Sequence, residues 1–367
     1  MILSRDCSDR SRAWSGMAAQ PVEIELTLTP RARVDAIDVA GKVRAEHGDA
    51  LAGFPRAAWC SFHTTAGYLD QGLAARLAAS GGPGSFLRTV HGLFPADGDY
   101  RHDRLAERRE LSDAQRRVEP RNADSHLAFI VSGMKSCALY RNRPAEPVFL
   151  LELDGMNGAA ARTRRTRVVG YHREEEVERV TIDVPVSRHP IDSVNLADPR
   201  VGVLDAAERM RERHDVEKGV VSIALTGGER DAGVTVNEFE TLLMRHDLRE
   251  VLEDPLRFLA RQGRRMLAEP RAIAAKSWGY AKYDAVQLLN EVIDALGLSE
   301  SAVERLIARL MAVPAARALR LKRAVRLLVA GAEPAVVRGT YQSPILIQWQ
   351  PARRRARTLE ISLTRFR

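Results

Sequence analysis

The chain has 367 residues, 45% of them hydrophobic, which suits a globular protein of about two domains. Its net charge of +8 and pI near 9.7 admit a nucleic-acid partner, but aromatic residues make up only 5% and are not interleaved with the basic runs. No apolar run is long enough to span a membrane, and residues 1–20 lack the apolar core of a secretory signal. We therefore expect a disordered extension over residues 1–20, no membrane contact and no nucleic-acid partner.

The cysteines and arginines bear on the cellular compartment and on the possible ligands. Cys7, Cys60 and Cys137 have no metal-binding or redox spacing, so we expect a reducing, cytoplasmic location. The arginines cluster in three runs, over residues 162–167, 317–326 and 353–357. Solvated strand and helix faces are the simpler explanation of such runs, and attraction of phosphorylated or acidic small molecules is the alternative.

The first half of the chain mixes strand and helix patterns. A period-two alternation over residues 22–28 predicts a half-buried strand, and apolar spacing over residues 33–47 predicts an amphipathic helix. An apolar run then ends at Cys60 and leads into a polar loop. Further along, we expect helices over 71–79 and 85–94, an apolar segment over 127–131, and strands over 137–140, 148–153 and 162–171.

The second half repeats this order of elements. We expect a strand over 180–186, a helix over 204–213, a strand over 219–225, a polar loop over 226–231, and final strands over 336–341, 345–349 and 352–361. The repetition predicts two copies of one α+β unit, at residues 21–172 and 178–367. The second copy carries a predicted helical insertion near 284–330, which includes a basic helix over 315–328.

Three histidines of the first copy lie beside loop signals and small polar residues. They occur in His63-Thr64-Thr65-Ala66, in Tyr100-Arg101-His102-Asp103, and in Asn122-Ala123-Asp124-Ser125-His126-Leu127. Their spacing forms no short metal-binding motif, so the sequence pattern alone does not join them in one site. The second copy has no matching histidines, and Glu229 stands where the first of them would fall.

These elements resemble the YjbQ family, many of whose members are described as secondary thiamine-phosphate synthases. The first copy matches the three histidine elements of that family but lacks its Asn-Glu pair and its Gly-Thr-Trp-Gln strand. The second copy shows the reverse, with Ala232-Gly233-Val234-Thr235-Val236-Asn237-Glu238 and Gly339-Thr340-Tyr341-Gln342. The resemblance implies a mostly antiparallel sheet with packed helices in each unit. It also implies a homo-oligomer, of trimeric type in the family, with a histidine-lined pocket for a metal and an anion.

The resemblance also assigns roles to individual residues. It implies a divalent metal, zinc or a similar ion, held by His63, His102 and His126, with these histidines and Glu238 as the catalytic residues. The implied substrate-binding residues are Thr64, Thr65, Asn122, Asn237 and Gln342. Two alternatives stay open: Asn122 could cap the following helix, and the two threonine hydroxyls could bond their own backbone.

The complementary losses suggest that each copy kept a different part of one shared site. The alternative is that the second copy is a structural partner and Glu238 a surface carboxylate. In function, we expect a metal-dependent transferase or hydrolase acting on a small phosphorylated or acidic metabolite, including transfer of the thiamine-phosphate-synthase kind. The alternative is a non-catalytic small-molecule-binding or regulatory protein on the same fold.

Overall fold

The computed structural model describes residues 20–253, 321–331, 334 and 336–367. The predicted extension, apart from residue 20, lies outside the described residues, as does the predicted helical insertion up to residue 320. The described part of the chain contains no helix that is long and apolar enough to cross a membrane.

The first half of the chain forms nine strands and five helices among its described residues. In chain order they are β1 (Val22–Leu28), β2 (Asp35–Asp38), α1 (Val39–His47), β3 (Arg56–Ser61), β4 (Ala66–Gly67), α2 (Gln71–Ala79), α3 (Gly84–Leu93), α4 (Asp113–Val118), α5 (Ala123–Val131), β5 (Cys137–Arg141), β6 (Phe149–Glu152), β7 (Met156–Asn157), β8 (Ala160–Ala161) and β9 (Arg164–Tyr171).

The second half follows with a longer first strand than the sequence predicts. Its elements are β10 (Glu174–Pro185), β11 (Asp192–Asn195), a 3-10 turn (Pro199–Val201), α6 (Val203–His214), β12 (Lys218–Leu225), β13 (Ala232–Asn237), a π-helical turn (Leu243–Asp247), α7 (Leu248–Glu253), β14 (Ala324–Ala330), β15 (Val336–Val337), β16 (Ser343–Gln348) and β17 (Ala356–Phe366).

The two halves share one sheet topology. The first half has a sheet in the order β1-β9-β3-β5 and a smaller one in the order β2-β6-β4. The second half has β10-β17-β12-β14-β15 and β11-β16-β13, which follow the same order, with β15 as one additional edge strand. Neighbouring strands in these sheets run antiparallel, as in β1 with β9 and β10 with β17. The structure thus shows the predicted α+β fold with two similar, mostly antiparallel units.

The helix predicted over residues 33–47 is wrong in its first part. Residues 35–38 form β2, which pairs with β6, and α1 begins at Val39. The extended conformation is fixed locally, because the Asp35 carboxylate accepts hydrogen bonds from the backbone N–H groups of Arg31 and Ala36. Asp38 then caps the helix by accepting from the Gly41 N–H at 2.9 Å.

The basic helix predicted over residues 315–328 is also wrong in its described part. Residues 324–330 form strand β14, which pairs with β12 along its full length. Val325, Leu327 and Val329 pack into the core of the second half, whereas Leu328 faces the first half. A strand that is buried on both faces gives a continuous apolar run, and such a run does not distinguish a short strand from a buried helix.

The two halves pack through their sheets. Ala58, Cys60, Cys137, Val169 and Tyr171 of the first half contact Val220, Leu328 and Phe366 of the second half. The rings of Tyr171 and Phe366 stack with centroids 4.0 Å apart. This packing removes apolar side chains of both units from water, so each unit completes its core against the other.

Side chains also cross the boundary at the loop over residues 62–65, which follows β3. The Gln342 Nε2 donates to the backbone carbonyls of Ser61, at 3.0 Å, and His63, at 2.9 Å. Gly339 lies so close that a Cβ built on it would be 1.9 Å from the Phe62 carbonyl oxygen. A glycine is therefore required here by close backbone approach.

We expect Gly339→Ala to lower the free energy of unfolding by about 1–3 kcal/mol, because the added methyl group forces the two backbones apart. Urea denaturation of the whole chain measures this. Gly227→Ala is the matched control, since a Cβ at Gly227 would meet nothing within 4 Å. Equal unfolding midpoints for the two variants would show that the halves do not pack as described.

Candidate metal centre

His102 lies in the loop between α3 and α4 and is fully buried. The second half holds this loop in place, because the Asp247 carboxylate accepts from the backbone N–H groups of Arg101 and His102, both at 2.9 Å. The His102 Nδ1 lies 2.9 Å from Glu240 Oε2. A carboxylate that is ionised can only accept, so His102 Nδ1 carries a proton. Among the described residues, the buried Nε2 atom of His102 has no hydrogen-bond partner.

His126 lies on α5, whose residues are all buried. Its Nδ1 is 2.8 Å from the Asn237 side-chain oxygen. The Asn237 Nδ2 donates to the Thr64 carbonyl at 2.8 Å, which fixes the orientation of that amide. An amide oxygen only accepts, so His126 Nδ1 donates the proton and its Nε2 presents a lone pair when the ring is neutral.

Glu238 completes a cluster with the two histidines. The candidate ligand atoms of His102, His126 and Glu238 all lie within 4.8 Å of one another. The His126 Nε2 is 3.4 Å from Glu238 Oε2, and the other Glu238 oxygen lies 3.2 Å from an Arg108 nitrogen. Glu238 belongs to the second half of the chain and both histidines to the first, so the cluster forms only where the halves meet.

The electrostatic environment differs sharply between the two rings. Burial, together with the charge of His102, lowers the pKa of His126 to about 3. Burial also opposes the charged form of His102, but its hydrogen bond to Glu240 and the charge of Glu238 outweigh burial and raise its pKa. Burial raises the pKa of Glu238 despite the nearby His102 and Arg108. The lone pair of a neutral His126 and an ionised Glu238 carboxylate repel each other, because both are acceptors. A proton or a cation between them would remove this repulsion.

Arg108 links this cluster to further carboxylates. It is only 3% exposed, and its guanidinium contacts Glu110 at 2.6 Å, Glu119 at 2.7 Å and Glu238 at 3.2 Å. Glu240 is held as an acceptor: burial raises its pKa, but the bonds from His102 and from two backbone N–H groups lower it to about 2. Arg108 therefore places a positive charge beside Glu238, and Glu240 places a negative charge beside His102.

His63 does not join His102 and His126. Its Nε2 accepts from the Arg165 backbone N–H at 2.8 Å, and its Nδ1 lies 3.5 Å from the Arg164 guanidinium. Burial, then the charges of Arg164 and Arg165, lower the pKa of His63 to about 3. The ligand set expected from the resemblance is thus not assembled in the structure, because the loop over 62–65 turns this ring toward β9.

Some of the expected substrate-binding residues make contacts across the boundary between the halves, and the others make contacts within the first half. Asn237 and Gln342 bond backbone carbonyls across the boundary, and Thr64 supplies one of those carbonyls. The Thr65 hydroxyl accepts from Arg164 at 3.4 Å. Asn122 occupies the position before α5 without a capping hydrogen bond, and its Nδ2 donates to Asp154 at 2.7 Å.

Sequence reasoning missed Arg108, Glu240 and Asp247. Asp103, which follows His102 in its motif, accepts from the Ala123 N–H at 3.0 Å and so caps α5 in place of Asn122. Glu240 had a weak signal, because it follows the Asn237-Glu238 pair in a segment that leads into a helix. Arg108 had none, since it is one of many charged residues in its stretch.

The fold and the cluster together define an α+β protein of two similar units with a two-histidine, one-glutamate group at their boundary. No protein-family model and no curated protein matches the chain. Solved structures similar to it include a YbjQ-like protein of unknown function from Sulfolobus solfataricus, 18% identical, with a TM-score of 0.29. The match covers 53% of this chain and 99% of that one.

Two further structures are similar at lower identity. A hypothetical protein from Aeropyrum pernix is 13% identical with a TM-score of 0.27, over 50% of this chain and 96% of its own. An uncharacterised conserved protein of the YjbQ family from Clostridium acetobutylicum is 12% identical with a TM-score of 0.23, over 51% and 99%. Each match covers about half of this chain and nearly all of the other chain.

We expect the environment of His63 to make the stability of the metal-free protein fall at acidic pH. Below pH 6.5, the ordinary pKa of histidine, His63 binds a proton in the unfolded chain. In the folded chain the same ring stays neutral down to about pH 3. Stability is therefore lost as the pH falls through this window, and His63→Gln should remove as much as about 2 kcal/mol of the loss between pH 7 and pH 5. Urea denaturation at both pH values measures the difference, with His189→Gln at an exposed position as the control. An unchanged loss in His63→Gln would contradict the placement of this ring.

Proposed function

We propose that the protein is a metal-dependent enzyme whose divalent ion is held by His102, His126 and Glu238. The observation that carries the proposal is the unpartnered, buried Nε2 atom of His102 beside the Nε2 lone pair of His126 and the Glu238 carboxylate. Two imidazoles and one carboxylate suit zinc or a similar transition metal and leave a coordination position for water or substrate. In this proposal Glu238 takes the place that the sequence resemblance gave to His63.

The surrounding residues support such a centre. Histidine ligands of metals donate their other ring N–H to a carboxylate or a carbonyl-type oxygen, which fixes the tautomer. Here Glu240 does this for His102 and Asn237 does it for His126. A bound ion would supply Lewis acidity toward a phosphate or carbonyl oxygen, or a water molecule of lowered pKa. Arg108 keeps one Glu238 oxygen engaged, so the other is the one directed toward the histidines.

A basic cleft supports an anionic ligand, and one of its lining residues, Glu119, is linked to Glu238 of the cluster through Arg108. The cleft has a volume of about 440 Å³ and is lined by Arg33, Arg116, Arg117, Arg121, Glu119 and Asp154, among others. Such a volume suits a small metabolite. Glu119 and Asp154 are paired with Arg108 and Arg162. Among the described residues, Arg117 and Arg121 form no ion pair. The substrate we propose is therefore a small phosphorylated or acidic molecule.

The reaction class is part of the proposal. Transfer or hydrolysis at a phosphorylated centre, including transfer of the thiamine-phosphate-synthase kind, would use the polarising ion and the basic cleft together. A cytoplasmic homo-oligomer, of trimeric type, is the setting that we propose for it. The alternative is a non-catalytic binding or regulatory protein with a structural ion. The burial of His102 and His126 favours it, because both histidines are almost fully enclosed.

We expect His102→Ala and His126→Ala to abolish stoichiometric zinc binding, since each change removes a ligand atom. Zinc content after equilibrium dialysis, measured by mass spectrometry, tests this, and circular dichroism reports on folding. His63→Ala is the control and should keep its zinc. Glu240→Gln should weaken zinc binding by about 10–100-fold, because it removes a group that orients His102. Equal zinc content in all four variants would remove the proposed centre.

We expect the paired change Arg117→Gln and Arg121→Gln to weaken binding of pyrophosphate by about tenfold, because two uncompensated charges leave the cleft. Isothermal titration calorimetry at low and high salt measures the loss. The control is Arg353→Gln with Arg354→Gln, which changes the net charge equally at exposed positions elsewhere. If both pairs lower the affinity to the same extent, the effect comes from overall charge and not from the cleft.

A further inference from the structure

Two cysteines that are distant in the sequence meet in the core. The Sγ atoms of Cys60 and Cys137 lie 2.9 Å apart, and both side chains are buried and free. Cys60 is near the end of β3 and Cys137 begins β5. The two residues are direct partners in the antiparallel register of these strands.

The register is favourable for a covalent bond. The neighbouring Ser61 N–H donates to the Ser136 carbonyl at 2.7 Å, so Ser61 and Ser136 are a hydrogen-bonded pair of the ladder. Cys60 and Cys137 therefore form the adjacent non-hydrogen-bonded pair, in which side chains approach most closely. Cα atoms at such a site are about 4.5 Å apart, which lies within the range that disulfides span.

The position of the pair connects it to the boundary between the halves. Both cysteines pack against Val220, Leu328 and Phe366 of the second half. Cys60 is followed by Ser61, whose carbonyl accepts from Gln342. A bond between the cysteines would thus fasten β3 to β5 directly under the loop over residues 62–65.

We propose that Cys60 and Cys137 are a modification site, at which a peroxide forms a reversible intramolecular disulfide that stabilises the boundary between the two halves. The step balances with hydrogen peroxide as the oxidant. Two S–H bonds and one O–O bond break, one S–S bond forms, and the two hydrogen atoms leave in two molecules of water. The thiols lose two electrons and the peroxide gains them. A thiol reductant reverses the reaction by exchange.

Burial sets the rate of this reaction. The apolar surroundings, and then the bond with Cys137, raise the pKa of the Cys60 thiol, so little reactive thiolate is present in the closed fold. The oxidant must therefore reach the pair during local opening of the strands. Low, subdenaturing urea is expected to speed oxidation for this reason.

The test uses the full chain with Cys7→Ser, which leaves only the two cysteines of interest. The protein is treated with hydrogen peroxide, alkylated, digested with trypsin and analysed by mass spectrometry. We expect the peptides of residues 57–76 and 136–141 to be linked, and the link to disappear with dithiothreitol. The oxidised protein should also melt at a higher temperature than the reduced protein, because the bond restrains a long loop of the unfolded chain.

Control variants separate the bond from other oxidation. Cys60→Ser and Cys137→Ala, each in the Cys7→Ser background, should show neither the link nor the shift in melting temperature after peroxide. Two other products would overturn the proposal: alkylation of both cysteines, or sulfinic acid at either one without a link. A link that leaves the melting temperature unchanged would refute the stabilising role.

Discussion

The amide of Asn237 is the contact on which the candidate site depends. Its nitrogen donates to the Thr64 carbonyl and its oxygen lies against His126 Nδ1, so one side chain of the second half positions two elements of the first. The same oxygen accepts from the Glu238 N–H at 2.8 Å. Because this one amide sets both the tautomer of His126 and the backbone of Glu238, the cluster is a product of how the halves pack.

Burying the charges around the cluster costs free energy, which a purely structural role would not explain. Arg108 is buried among three carboxylates, and Glu240 is buried against His102. Buried ion pairs recover only part of the cost of removing charges from water, and hydrophobic residues of similar volume often stabilise a protein equally well. The raised pKa of His102 shows that the field of these carboxylates favours a positive charge at that ring. A divalent cation at the Nε2 atoms would satisfy the same field without a proton.

The sequence could reveal what depends on local pattern. Period-two alternation located β1, and helical spacing with a glycine-rich end located α2 at its observed bounds. The motifs identified His102, His126, Asn237 and Glu238, although not their contacts. What failed depends on distant partners: β14 is a strand because β12 and the other half surround it, and Cys60 meets Cys137 through strand pairing. Arg108 could not be found, since its importance comes from carboxylates brought to it by folding.

The second half explains why His63 lies apart from the other histidines. There, Glu229 stands at the position of His63, and its carboxylate contacts Arg357 at 3.0 Å and accepts from the Thr358 N–H at 2.8 Å. His63 makes the corresponding contacts with Arg164 and the Arg165 N–H.

The correspondence extends to the arginines themselves. Arg164 on β9 bonds Glu152 on β6, and Arg357 on β17 bonds Gln348 on the equivalent strand β16. His63 and Glu229 thus have the same structural role, which is to accept a hydrogen bond from the first residues of β9 and β17. The acceptor is a neutral imidazole in the first unit and a carboxylate in the second. That role follows from the fold common to both halves. His102, His126 and Glu238 lie outside this correspondence, because each half supplies what the other lacks, and the chemistry specific to this chain is therefore to be sought in that asymmetric cluster.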